Sequence, residues 1–66
     1  MAVIKVVEIM SNSTKSWEDA TKNAITRASK SIKGIKSAYV QDQSVVVSRG
    51  KVTKYRVSLK VSFAVK

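Results

Sequence analysis

The 66-residue chain has no cysteine and no histidine, and its only acidic residues are Glu8, Glu18, Asp19 and Asp42. Without cysteine, no disulfide can hold the fold together. Without cysteine or histidine, a tetrahedral zinc site and a histidine-based acid–base pair are excluded. The scattered carboxylates assemble no nucleophile–base pair, so the residue types point away from an enzyme and imply no metal. Long hydrophobic runs are missing as well. The amino-terminal stretch Met1-Ala2-Val3-Ile4 is interrupted by Lys5 and Glu8, too short and too charged for a signal peptide or a membrane span. A cytoplasmic protein is expected.

Basic residues are abundant: thirteen Lys and Arg against four Asp and Glu give a formal charge of +9. The surplus implies either an anionic partner (nucleic acid, a nucleotide phosphate, an acidic surface) or simple solvation of a small protein's outer face. The charges are spread along the chain, with no block that would form a basic tail. One domain spanning 1–66 is expected. At this size a domain buries only ~60% of the surface its unfolded chain exposes. With disulfides excluded, self-association or a bound ligand is left to supply the missing stability.

Along the chain, residues 2–10 are rich in Val and Ile, with Ile4 and Val6 on one side and Val7 and Ile9 on the other, which predicts a strand. Ser11-Asn12-Ser13-Thr14-Lys15 is expected to be a polar loop. Ser16-Trp17-Glu18-Asp19-Ala20 then marks a helix start, with Ser16 as N-cap, Asp19 in the capping-box slot and two acids facing the helix dipole. Trp17, Ala20, Ala24, Ile25, Ala28 and Ile32 recur at helical spacing, so the helix is expected to run from Trp17 to about Ile32, with Gly34 as its C-cap. Trp17 is read as a core plug at the helix entrance, with ligand stacking as the alternative. Residues 35–48 and 51–65 predict two long strands joined at Ser48-Arg49-Gly50-Lys51, where Gly50 supplies the unusual dihedral.

In the last strand Tyr55, Val57, Leu59, Val61 and Phe63 alternate with Lys54, Arg56, Ser58, Lys60 and Ser62, so one face meets the helix and the other is polar. In the preceding strand Ala38, Val40 and Val46 are expected on the core side, and Ser37, Tyr39, Gln41 and Gln43 on the polar side. The order strand–helix–strand–strand predicts an α+β fold: a three-stranded antiparallel sheet, order 1-3-2, wrapped on one helix. Glu8, among basic neighbours, is read as a salt-bridge partner between subunits.

These residues resemble the dodecins, small β-α-β-β proteins that assemble into hollow dodecamers. The resemblance spans nearly the whole chain through Lys5-Val6-Val7-Glu8-Ile9, Ser16-Trp17-Glu18-Asp19-Ala20, Gly50-Lys51-Val52 and Tyr55-Arg56-Val57-Ser58-Leu59-Lys60-Val61-Ser62-Phe63. It implies a non-enzymatic homododecameric shell that sequesters or stores riboflavin and flavin mononucleotide (FMN), with coenzyme A a further ligand in some members. Flavin-binding dodecins carry a Trp early in strand two that stacks on the isoalloxazine ring, and a Gln in strand three that bonds its polar edge. Here those positions hold Ser37 and Arg56, so both main flavin contacts are missing.

The candidate ligand residues are therefore Ser37, Tyr39, Arg56 and Ser58, with Lys54 and Lys60 along the same face. Tyr39 could stack on a ligand or pack at a subunit contact. Arg56 could stack on a ring or hold a phosphate with two hydrogen bonds. A small anionic or aromatic metabolite is the expected partner. Two other readings stand beside it: a small basic nucleic-acid-binding module using Tyr39, Arg56 and Lys60, and a purely structural homo-oligomer.

Overall fold

A computed structural model describes residues 3–65; the expected first residue of strand one, Ala2, lies outside them. The elements are β1 (Val3–Ser13), α1 (Trp17–Ala28), β2 (Ile35–Ser48) and β3 (Lys51–Val65). The sheet has the order β1-β3-β2, with β3 antiparallel to both neighbours. That is the predicted α+β topology. The helical return makes β1 and β2 run the same way, so β3, reversed by the hairpin, is the strand that can sit antiparallel between them. No helix among the described residues is long and apolar enough to cross a membrane.

The helix begins where the capping pattern puts it. Ser16 is extended (φ −170°), and its Oγ accepts a hydrogen bond from the Asp19 N–H at 2.9 Å. Asp19, however, does not reach back to Ser16. Its Oδ2 accepts from Ser13 Oγ at 2.6 Å and from Asn23 Nδ2 at 3.1 Å. Ser13 Oγ accepts in turn from the backbone N–H groups of Lys15 (2.9 Å) and Ser16 (3.4 Å). A buried hydroxyl thus stands between the helix start and its acid, accepting from the two amides that lead into the helix.

Ser13 reveals the first departure from expectation. Ser11, Asn12 and Ser13 are not a loop but the end of β1, opposite Val57, Arg56 and Tyr55. The long β3 offers them a backbone ladder, and that pairing overrides their polar composition. The helix, conversely, is shorter than its periodicity suggests. It ends at Ala28 with Ser29 as C-cap, and the Lys30 N–H bonds the Arg27 carbonyl, the tightened pattern of a closing last turn. Gly34 is not the helix cap. It has φ +77° at the entry to β2, where its carbonyl accepts from the Ala64 N–H at 3.2 Å.

The core is formed by Ala20 and Ala24 of α1 against Val57, Leu59 and Val61 of β3, flanked by Val7, Ile9, Trp17, Ile25 and Ile35. The small alanine stripe lets the helix lie close to the sheet, over β1 and β3. β2 is left beside it, so Ala38 and Val40, expected in the core, are exposed although they oppose Val61 and Leu59. A bulge between Val40 and Asp42 then reverses the alternation. Gln43 and Val45 oppose Val57 and Tyr55 on the helix side, whereas Val46 opposes Lys54 on the polar side. The expected placements of Gln43 and Val46 are therefore exchanged, because one extra residue flips every side chain beyond it. Trp17 ties β2 to the body. Its ring meets Tyr55 edge-on at 5.2 Å and its Nε1–H donates to the Ser44 carbonyl at 3.0 Å. Arg49 and Gly50 close the hairpin with φ of +54° and +74°, the double positive φ of a type I′ turn.

Candidate functional site

One face of the sheet carries no helix, and the ladder arranges its side chains in rows. The first row is Val6, Ser62 and Ser37; the next is Glu8, Lys60 and Tyr39; then Met10, Ser58 and Asp42; then Asn12, Arg56 and Ser44. All four predicted ligand residues, Ser37, Tyr39, Ser58 and Arg56, lie on this open face. They do not meet at one point. Ser37 pairs with Ser62, six residues along β3 from Arg56, which at ~3.4 Å per residue separates the two rows by about 20 Å. A single small ligand cannot touch both within one chain.

The local chemistry differs from row to row. Ser37 Oγ and Ser62 Oγ lie 2.6 Å apart, a hydroxyl pair across the β2–β3 ladder. Tyr39 is 68% exposed and has Lys60 opposite it. Lys60 Nζ lies 4.0 Å from Glu8 Oε1, so the ion pair expected between subunits forms within the chain. Both partners are exposed, and such a pair contributes little stability. Arg56 is half-buried, and its Nε–H donates to Asn12 Oδ1 at 3.0 Å. Asn12 does not stand out in the sequence, because Ser11-Asn12-Ser13-Thr14-Lys15 has the composition of a loop. Its signal lay in alternation: Met10 and Asn12 continue the outward positions of Ile4, Val6 and Glu8 once the strand is extended.

A sizeable concavity lies elsewhere. A groove of about 670 Å³ runs between β1 and α1, lined by residues including Ile9, Asn12, Asn23, Ala24 and Arg27, and it contains none of the four predicted residues. No group of three or more Asp, Glu, His or Cys that could hold a metal occurs among the described residues. Glu8 and Asp42 both stand on the open face, but β3 lies between their strands and they occupy different rows.

Comparison with known proteins places this geometry. Calcium dodecin of Mycobacterium tuberculosis is 45% identical over 64 residues, covering 96% of this chain and 89% of the relative. The crystal structure of that calcium-chelating antigen, described as having a novel calcium-binding site, superposes with a TM-score of 0.85 at 40% identity, covering 97% of this chain and 91% of the other. Dodecin from Streptomyces coelicolor superposes with a TM-score of 0.94 at 26% identity, covering 98% and 93%. The calcium relative qualifies the expectation that no metal is involved. Lack of Cys and His excludes tetrahedral zinc, whereas calcium takes oxygen ligands. The Dodecin family model matches residues 3–66, and with the predicted β-α-β-β topology in place, the chain belongs to the dodecin family.

Proposed function

We propose that the protein is a non-enzymatic dodecin-type shell, a hollow homododecamer that binds a small anionic metabolite on the open faces of its sheets. The observation that carries this reading is the open face itself: a whole sheet surface without a helix, bearing Tyr39, Ser58, Lys60 and Arg56 in adjoining rows. Self-association is supported by the balance of apolar surface. Among the described residues five hydrophobic side chains are buried while ten large ones, including Ile4, Val6, Met10 and Val47, are exposed. A monomer rarely leaves that much apolar surface in water. The 20 Å between the Ser37 and Arg56 rows has the same implication, because a site using both needs a second copy.

The face offers little for a flavin ring to stack on. The indole is replaced by the Ser37–Ser62 hydroxyl pair, and Tyr39 is the one aromatic among the rows. Ring stacking is therefore not the main source of affinity, which disfavours riboflavin; FMN and coenzyme A bring phosphate groups that the basic side chains can hold. The same scarcity of aromatics disfavours the nucleic-acid module, which relies on stacked bases.

Calcium is the second reading, favoured by the 45%-identical relative called calcium dodecin. Six to eight oxygens are usual, and no three carboxylates gather among the described residues, so a carboxylate-rich site is not found in one chain. Such a site would be shared by Glu8 or Asp42 side chains of several copies. Native mass spectrometry with FMN, with calcium and with neither separates these readings. A twelve-chain mass that takes up FMN supports the metabolite shell, and one that takes up calcium alone supports the second reading. A twelve-chain mass with no uptake favours a structural oligomer, and a monomer overturns the shell. A cytoplasmic location belongs to the same proposal and is tested by cell fractionation.

A further inference from the structure

We propose that Arg56, oriented by Asn12, is the anchor for a phosphoryl group, so that the ligand of the open face is a phosphorylated small molecule recognised through its phosphate. This deepens the metabolite-shell reading and rests on it. The Asn12 carbonyl oxygen accepts the Nε–H of Arg56 at 3.0 Å. That bond occupies Nε and leaves the two terminal nitrogens with no hydrogen bond among the described residues. A fixed pair of parallel N–H donors matches two oxygens of a phosphate, and a guanidinium already held in place loses less freedom on binding.

The identity of the orienting residue matters as much as its distance. A carboxylate at position 12 would hold the guanidinium and cancel its charge together, whereas the amide of Asn12 holds it and leaves the charge intact. Lys60 shows the contrast on the same face, with the Glu8 carboxylate at 4.0 Å. The open face thus divides into a compensated pair, Glu8 and Lys60, and an uncompensated pair of cations, Lys54 and Arg56, two residues apart on one side of β3. Asp42 stands opposite Ser58, one row from Arg56, and forms no ion pair within 4.0 Å among the described residues, so neither cation has a carboxylate in contact. The half-buried Ser58 hydroxyl, next on that face, also has no partner among them and can donate to a further phosphate oxygen.

The test titrates the assembled wild-type protein by calorimetry with inorganic pyrophosphate, FMN and riboflavin. FMN and riboflavin share one ring and differ by the phosphate. Pyrophosphate and FMN are expected to bind saturably, with riboflavin weaker by about tenfold or more, the worth of a charge-assisted hydrogen bond. Asn12→Asp keeps an acceptor for Nε while cancelling the charge, so pyrophosphate affinity should fall by about tenfold or more with assembly unchanged. Arg56→Lys keeps the charge but loses the fork, and should also weaken binding. An Arg56 that acts only as a charge, without using its fork, would leave pyrophosphate binding untouched in the Lys variant. Equal affinity for FMN and riboflavin, unchanged pyrophosphate binding in both variants, or no binding of pyrophosphate and FMN by assembled wild-type protein overturns the phosphoryl anchor. A monomeric mass for the wild-type protein instead overturns the shell reading beneath it.

Discussion

Ser13→Ala is the substitution that best tests how the fold supports the site. Ser13 is 7% exposed, and its hydroxyl takes part in three hydrogen bonds, donating to Asp19 Oδ2 at 2.6 Å and accepting from the Lys15 and Ser16 amides at 2.9 and 3.4 Å. A hydrogen bond to a charged group contributes ~1.5–3 kcal/mol. Asp19 keeps its bond from Asn23 at 3.1 Å, and Lys15 is an exposed residue and Ser16 a partly exposed one, so the change at their amides is expected to add little. The expected cost is about 2–3 kcal/mol, against about 1 kcal/mol for removing the Ser16 cap in Ser16→Ala.

Urea denaturation is the assay, run at one protomer concentration because assembly links stability to concentration. The midpoint should fall with the slope unchanged. A functional consequence should accompany it. Ser13 adjoins Asn12, which holds Arg56, so fraying this end of β1 should also weaken phosphate binding. A Ser13→Ala protein within about 0.5 kcal/mol of wild type, the range of an ordinary surface change, would refute the reasoning.

Three further outcomes are expected. Leu59→Ala, at a fully buried position facing the helix, should cost about 2–5 kcal/mol by thermal or urea unfolding, because the surrounding core cannot close over the cavity. Arg49→Asn should stabilise by roughly 0.5–1 kcal/mol in the same assay, since a non-glycine residue now holds φ +54° in a turn that favours Asn-Gly. Ser37→Trp combined with Arg56→Gln should confer riboflavin binding, read as flavin fluorescence quenching. The two rows are about 20 Å apart in one chain, so quenching should appear only in the assembled protein; a double variant that assembles normally without quenching refutes the assignment of these positions.

Much of the molecule was legible in the sequence because its signals are local. Ser16 and the acids that follow specify a helix start through groups within one turn of each other. The strict alternation of β3 from Tyr55 to Phe63 determined which face is buried, and the order of elements with one tight hairpin left β3 as the central antiparallel strand. Other features depended on contacts between distant residues. β1 extends to Ser13 because β3 is long enough to pair with it, which Ser11-Asn12-Ser13 cannot signal alone. The bulge at Val40–Asp42 reverses the faces of Gln43 and Val46, since an alternating pattern carries no record of where an extra residue is inserted. The helix lies over β1 and β3, which leaves Ala38 and Val40 in water despite their apolar character. The Asn12–Arg56 bond joins residues 44 positions apart. The sequence by itself determined the elements, their order and the polar face, through periodicity and capping; tertiary structure decided how far each strand pairs and which cation remains uncompensated, because register and charge pairing are properties of neighbours in space.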